Sequence, residues 1–215
     1  NITEAGSESR VLRILRNLLV HIQLTAFAVL AAVLVAVPLG IQIFRTPSVS
    51  RPVLYVAGLM QTIPSLALLA LMLPLLGIGA VPAIVALFLY AILPVLRNTV
   101  TALQSVDPLL VEVATGMGLT RGQTLRYVQL RLAVPGIYAG IRTATIISIG
   151  TATVAALIGA GGLGEPIVTG MALADWGMIL EGALPAAGLA IVVDMGFDLL
   201  ERVLVPKHLR DGTKA

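Results

Sequence analysis

The chain of 215 residues contains no cysteine. Disulfides, and zinc, haem or iron–sulfur centres held by thiolates, are therefore excluded. Histidine is nearly absent as well: His21 and His208 stand near opposite ends with no carboxylate–histidine cluster around either, which argues against a metal centre. Charged residues make up 12% of the chain, about half the ~25% of soluble domains, and aromatics only 4%. That leaves too little polar surface to cover a soluble globule. No G-x-x-x-x-G-K-[ST] loop occurs, so the chain holds no ATP of its own in a phosphate-binding loop. Nor is there a Gly-x-Ser-x-Gly elbow, a His-Glu-x-x-His pair or facing carboxylates inside the apolar runs, so an enzyme reading has no catalytic cluster to rest on.

What is present is apolar. Hydrophobic residues make up 58%, and the mean hydropathy is +0.99. A helix needs about 20 mostly apolar residues to span a bilayer. That length predicts an all-α, polytopic membrane protein with five spans, near Leu18–Phe44, Val53–Leu76, Val81–Leu96, Val134–Ile158 and Met178–Val203. Residues 1–9 read as a polar, poorly ordered tail. SRVLRILRNLLVHI places Arg10, Arg13 and Arg16 at helical spacing between leucines, the pattern of an amphipathic interfacial helix rather than of a signal peptide. The expected organisation is thus a tail and interfacial helix over 1–17, one transmembrane domain over 18–209 with a polar segment at 107–131, and a tail over 210–215. Pro38, Pro64, Pro74, Pro82, Pro94 and Pro185 fall inside apolar runs, and several kinked spans suit a cavity-forming, moving assembly.

Lys and Arg set the orientation. None occurs over 52–96 or 143–201, so the loops 77–80 and 159–177 are expected outside. Arg45 and Arg51 flank the first loop, Arg97, Arg121, Arg126, Arg131 and Arg142 surround the long polar one, and Arg202, Lys207, Arg210 and Lys214 follow the last span. These regions are expected in the cytoplasm, with the C-terminus. Five spans then put the N-terminus outside, a placement that Arg10, Arg13 and Arg16 oppose. The scattered arginines mark topology, not nucleic-acid binding, despite a sequence pI near 9.7.

The long polar stretch, 97–136, carries the most specific signals. Asp107-Pro108 reads as an N-cap followed by a first helical position. A short helix with Leu109, Leu110, Val113 and Met117 on one side should run to about Gly118, and Thr120 should cap a second helix carrying Arg121, Arg126 and Arg131. On the residues alone this helix–Gly turn–helix either fills a loop at the interface or offers a docking surface.

Glu112-Val113-Ala114, Gly118 and Val128-x-Leu130 resemble the EAA coupling motif of ABC importer permeases, E-A-A-x-x-x-G-x(9)-I-x-L-P. The likeness extends to QTIPSLALLALMLPLLGIGAVPAIVALFLYAILPVLRNT, AGIRTATIISIGTATVAALIGAGGLGEPI and the Asp194…Glu201-Arg202 ending. Over about 21–209 the chain is similar to permeases for glycine betaine, choline and related osmoprotectants. The resemblance implies a type I importer permease of methionine-permease-like fold in a bacterial or archaeal plasma (inner) membrane, moving a small quaternary-ammonium or betaine-like solute. It implies a coupling helix, Glu112, Ala114, Gly116, Gly118, Leu119, Thr120 and Arg121, seated in a groove of a separate cytoplasmic ATP-binding subunit pair that holds ATP and Mg2+. Ala114 and Gly118 would let backbones approach there, and Glu112 would offer an acceptor. It also implies a second permease copy or a homologous one, and an extracytoplasmic substrate-binding protein near 159–177. Such a binding protein would hold the quaternary ammonium in an aromatic cage, which this chain, with Trp176 as its only tryptophan, is poorly equipped to build. Two departures stand out. Val113 replaces the first alanine, and Arg131 stands in place of the motif proline, with Pro135 four residues on, so the second helix is expected to run further before breaking.

Polar groups inside the spans are the candidates for a solute path: Gln61, Thr62, Pro64 and Ser65 in one run, Thr145, Ser148 and Thr151 in another. Serine and threonine in helices also bond the preceding turn, so packing remains the alternative. Asp194, Asp198 and Glu201 share a helical face near the cytoplasmic end, where Arg142 or Arg97 would pair with them structurally. A secondary carrier or channel would have no need of the coupling segment. Gly159-x-Gly161-x-x-Gly164 has dinucleotide-loop spacing, but such a loop follows a strand, and here it ends an apolar span on the outer side. These glycines, with Gly162, are expected to form a tight turn and hinge at an outer gate, followed by a short helix from Glu165-Pro166 towards Trp176.

Overall fold

The computed structural model describes residues 10–204. The polar tail over 1–9 and the expected basic end with Lys207, His208, Arg210 and Lys214 lie outside them. Along the described residues run α1 (Arg10–Ile43), α2 (Pro47–Thr62), α3 (Ser65–Leu76), α4 (Ala80–Gln104), α5 (Pro108–Gly116), α6 (Arg121–Thr124), α7 (Leu130–Ala152), α8 (Gly164–Leu173) and α9 (Trp176–Leu204). A π-helical turn over Leu125–Gln129 joins α6 to α7, and a 3-10 turn over Val154–Ile158 follows α7. Four helical stretches are long and apolar enough to cross a membrane, or 5 if the bent pair α2 and α3 makes one span. This is the expected all-α class.

The expected boundaries shift in four places. No separate interfacial helix precedes the first span, because α1 is one helix of 34 residues from Arg10 onward. Nothing between Arg16 and Leu18 breaks a helix, and at 1.5 Å per residue α1 is about 51 Å long, well beyond the ~30 Å hydrocarbon layer. The second span is broken: α2 and α3 meet at 94°. Ile63, before Pro64, is extended (φ −69°, ψ 124°), as the ring of a following proline favours. Tyr90 on α4 holds the break, since its hydroxyl donates to the Ile63 carbonyl while Gln61 Nε2 donates to the Tyr90 carbonyl at 2.9 Å. The third span runs on to Gln104. The fourth begins not near Val134 but at Arg121, continuing for 32 residues to Ala152 with Pro135 inside it. The longer run expected from Arg131 in place of proline is therefore present.

The core forms around α4. Along α1, Ala28, Ala32, Ala36 and Gly40 recur every four residues and are buried. A Cβ on Gly40 would lie 2.7 Å from Thr99 Cγ2. On α7, Gly136, Gly140, Ala144, Ser148 and Ala152 have the same spacing. A Cβ on Gly136 would stand 2.5 Å from Ala102 Cβ, and one on Gly140 would stand 2.6 Å from Asn98 Cβ. Rows of small side chains let helix axes close on one another in lipid, where dispersion contact rather than water exclusion drives association. α4 is thus clamped between α1 and α7, while α9 lies outside them against α7 and α8.

The ends of the bundle are defined by hydrogen bonds. Gly79 N–H donates to the Ile158 carbonyl at 2.9 Å, joining the loop before α4 to the turn after α7. At the same end, Arg13 Nη2 reaches Glu181 Oε2 on α9 at 2.7 Å, with Arg10 Nε 3.5 Å from Oε1. At the opposite end, Gln104 Nε2 donates to the Phe44 carbonyl at 2.9 Å.

Candidate functional site

The expected coupling segment is a capped helical hairpin whose shape follows from local sequence. Asp107 accepts from Leu109 N–H at 2.8 Å, and Pro108 follows where its missing N–H costs nothing. α5 ends where Gly118 takes φ +87°. Leu119 N–H then donates to the Ala114 carbonyl at 3.1 Å and Gly118 N–H to the Thr115 carbonyl at 2.9 Å, the two bonds of a Schellman stop. Thr120 and Gln123 bond reciprocally in a capping box that starts α6. The turn is thus closed by backbone bonds at the α5 end and by side chains at the α6 end.

This hairpin places the expected coupling residues unequally. Glu112, Gly116, Gly118, Thr120 and Arg121 are exposed, and Leu119 is half-buried. Ala114 departs from expectation: it is buried, 5% exposed, against the chain's own hairpin rather than offered outward. The outward face is instead apolar, with Leu109 60%, Leu110 44%, Val113 51% and Met117 75% exposed. On a polar-capped hairpin at the end of the bundle, four large apolar side chains on one side make a patch that burial against a partner would stabilise.

Two residues that the motif does not specify hold the hairpin in place. Arg45, in the loop between α1 and α2, donates from Nη2 to Gln129 Oε1 at 2.8 Å and to the Arg121 carbonyl at 3.3 Å. Gln129, 8% exposed, sits at the end of the π turn. Sequence reading used Arg45 for orientation alone. Its partners lie 76 and 84 residues away, and no local pattern links them.

Further along α7, Arg142 takes up the acidic face of α9. Its Nε reaches Asp194 Oδ1 at 2.7 Å, its Nη1 donates to Asp198, and Glu201 Oε2 stands 3.9 Å from Nη1. The predicted pairing is therefore made, by Arg142. Tyr138 Oη donates to the Phe197 carbonyl at 2.6 Å beside it, tying the same two helices.

The polar candidates for a path divide. Thr62 is exposed, its hydroxyl donating to the Leu59 carbonyl at 2.7 Å. Pro64 is also exposed, and Gln61 and Ser65 are half-buried at the α2–α3 bend. Thr145 and Thr151 are half-buried on α7 and donate to the carbonyls of Ile141 and Ile147. Thr145 lines an apolar groove of about 520 Å³ between α1, α7 and α9. Ser148 cannot line an open path in this conformation. It stands in the small-residue row of α7 with 0% exposure.

At the opposite end the glycine run does what a turn requires. Gly159, Gly161 and Gly162 take φ of +75°, +76° and +80°, a region that side chains with a Cβ avoid. Gly164, the first residue of α8, serves by its size: a Cβ there would fall 1.9 Å from the Thr153 carbonyl oxygen. α8 follows from Gly164-Glu165-Pro166 as expected, Ala174 turns the chain at φ +53°, and Asp175 Oδ1 accepts from Gly177 N–H at 2.8 Å to start α9.

Under this turn lies a residue given no role by sequence reading. His21 on α1 is fully buried, and its ring bridges two segments. Nδ1 accepts from Leu163 N–H at 3.3 Å, so the ring proton is on Nε2, which donates to the Ile149 carbonyl at 3.0 Å. That carbonyl is released where α7 tightens, since Thr153 N–H turns to Gly150. The available signal was Asn17, His21 and Thr25 recurring every four residues along one face of α1. In a membrane such a polar row faces protein, not lipid.

Comparison with known proteins adds to this geometry. Residues 28–210 match the family described as binding-protein-dependent transport system inner membrane component. The chain is 48% identical over 190 residues to the choline transport system permease protein OpuBB of Bacillus subtilis (strain 168), covering 88% of each chain. It is 47% identical over 195 residues to the osmoprotectant import permease protein OsmW of Salmonella typhimurium (strain LT2), covering 88% of this chain and 91% of that one. Among solved structures, a chain of the inward-facing MetNI methionine ABC transporter superposes with a TM-score of 0.82 at 22% identity, covering 93% of this chain and all of that one. At that identity the likeness is one of fold.

Proposed function

The chain belongs to the family of binding-protein-dependent transport system inner membrane components, and we propose that it is the membrane-spanning permease subunit of an ATP-driven importer of quaternary-ammonium osmoprotectants. Glycine betaine, choline and carnitine are the solute class, as the names of its relatives suggest. The chain catalyses no reaction. ATP and Mg2+ belong to a pair of cytoplasmic ATP-binding subunits, and an extracytoplasmic binding protein delivers the solute to the side of the glycine turn. A second permease copy, or a homologue, completes the path.

The observation that carries this reading is the hairpin over 107–124: rigidly capped, at one end of the bundle, with Leu109, Leu110, Val113 and Met117 turned outward. A hairpin that merely filled a loop would turn these side chains against its own bundle or into the lipid interface. Here an ATP-binding subunit covers them, and its closure on ATP moves the hairpin. Arg45, through Gln129 and the Arg121 carbonyl, keeps that motion in step with the α1–α2 loop. The hairpin end is the cytoplasmic one, with the C-terminus, and the N-terminus lies outside. Arg10, Arg13 and Arg16 oppose that placement by charge, and the Glu181 carboxylate, 15% exposed, offsets part of this opposition by pairing with two of them. Gly159–Gly164 acts as the hinge of the outer gate, and the weakly polar surface at the α2–α3 bend belongs to the path.

Co-purification tests the assignment. ATP-binding subunits expressed with the permease should be retained by the wild-type chain and lost on Leu109→Asp with Met117→Asp. Retention by that double variant would contradict the proposed docking face.

A further inference from the structure

The glycine turn is held from beneath by one side chain, and its position relative to α7 suggests a purpose. From the coupling hairpin, α6, the π turn and α7 form one continuous helical stretch, Arg121–Ala152, that crosses the whole bundle. His21 sits at the far end of that stretch, bonded at once to the Ile149 carbonyl of α7 and to Leu163 N–H in the outer turn. The fit around the ring is close. A Cβ added at Gly162 would stand 3.2 Å from Nδ1 and 3.4 Å from the His21 Cα, and Leu163 is itself fully buried. The Ile149 carbonyl has lost its α-helical donor, Thr153 N–H, to Gly150, and the Leu163 amide meets no backbone acceptor among the described residues. Each is a group whose burial is costly unless paired. Only a side chain with a donor and an acceptor about an imidazole width apart satisfies both, and the neutral ring is such a side chain.

We propose that His21 is a positioning residue for transport: by joining the 159–163 turn to the outer end of α7, it holds that turn in the shape on which the extracytoplasmic binding protein docks and passes the docking event to α7. This rests on the importer reading above. The two bonds divide the labour. The Leu163 bond shapes the turn and so sets how well the binding protein engages. The Ile149 bond links the turn to the helix that leads to the ATPase, and so sets how far engagement raises turnover.

The two halves of the ring can be removed separately. In His21→Asn the side-chain oxygen stands near the place of Nδ1 and keeps an acceptor for Leu163. In His21→Gln the amide nitrogen stands near the place of Nε2 and keeps a donor for Ile149. The assay is ATP hydrolysis by the permease with its ATP-binding subunits in proteoliposomes, titrated with solute-loaded binding protein, using glycine betaine and choline as probes. His21→Gln is expected to raise the half-saturating binding-protein concentration about tenfold, the loss of one buried hydrogen bond, with maximal stimulation kept. His21→Asn should keep half-saturation within about twofold of wild type while lowering the maximal stimulation. Gly162→Ala leaves the ring intact but drives a methyl group against it, and should raise half-saturation as His21→Gln does. It keeps the test open if the His21 variants assemble poorly. If Asn and Gln lose activity in the same proportion, tracking only the amount of intact complex, or if Gly162→Ala leaves half-saturation unchanged, His21 is a packing residue and the proposal is overturned, while the importer reading stands. A wild-type complex that hydrolyses ATP without response to binding protein would overturn both.

Discussion

Alanine substitutions along the glycine turn separate two reasons for a glycine, and the structure ranks them. Gly161 has φ +76°, and a Cβ there would meet only Val20 Cγ1, at an ordinary 3.5 Å. Gly161→Ala therefore incurs the left-handed backbone cost alone, about 1 kcal/mol. Gly162→Ala adds a contact of 3.2 Å with His21 Nδ1 to φ +80°, for about 1–2 kcal/mol in all. Gly164 is different in kind. Its φ is not positive, so an alanine there suits a helix start. Yet the Cβ would lie 1.9 Å from the Thr153 carbonyl oxygen and 2.9 Å from Ala156 Cβ. The oxygen is backbone and cannot swing aside, so α8 must retreat from the 3-10 turn by more than about 1 Å to restore a normal contact. That places Gly164→Ala at or beyond the top of the overpacking range, about 3 kcal/mol. At about 2–4 °C per kcal/mol for a chain of this size, thermal unfolding in detergent should fall by about 2–4 °C for Gly161→Ala and by about 6–12 °C for Gly164→Ala. Were the glycines needed for their dihedral angles alone, Gly164→Ala would be the mildest of the three. That order, or an equal loss in all, would refute the reasoning.

Three further tests address the ends of the bundle. Glu112→Lys and Gly118→Trp should leave the helix content of the permease unchanged but cut uptake at least tenfold relative to ATP hydrolysis, measured on one preparation; uptake that stays in proportion to hydrolysis would count against the coupling role. Arg45→Ala removes the bonds to Gln129 and the Arg121 carbonyl, and at about 1–1.5 kcal/mol for such exposed, charge-assisted contacts should lower uptake several-fold; a double-mutant cycle with Gln129→Ala should show non-additivity, and additive losses would deny the link. Arg13→Ala leaves Glu181, 15% exposed, with Arg10 at 3.5 Å as its one remaining cation among the described residues, and should destabilise the α1–α9 contact by about 1–2 kcal/mol, a loss that Arg13→Ala with Glu181→Gln recovers in part when followed by thermal unfolding.

The parts of this molecule legible in its sequence are those whose causes are local. Asp107-Pro108, Gly118 and Thr120 carry their caps and turn within a few residues, so the hairpin could be drawn before its coordinates were known. Arg142 with Asp194, Asp198 and Glu201 was readable because one helical face carries all three acids. The break at Pro64 was not, for six other prolines, Pro38, Pro52, Pro74, Pro94, Pro135 and Pro185, lie within helices. What singles out Pro64 is Tyr90, remote in sequence, which takes up the freed Ile63 carbonyl. The inward turn of Ala114 is likewise a matter of which side of α5 meets its own hairpin. The hydroxyl of Ser148 suggests a path, whereas its row, Gly136-Gly140-Ala144-Ser148-Ala152, marks a packing ridge. The polarity of Asn17, His21 and Thr25 was visible as well, but the two backbone groups that His21 satisfies exist only once α7 tightens and the glycine turn closes over it.

The central claim is that solute movement through this chain is driven by a partner's ATP through the hairpin. Uptake of labelled glycine betaine and choline should be followed in proteoliposomes holding the permease and its ATP-binding subunits, with the binding protein outside. The account predicts accumulation above the external concentration only with ATP inside and the binding protein outside, lost on Gly118→Trp. Uptake that merely equilibrates, or that proceeds without ATP, would make the chain a channel or carrier and contradict it.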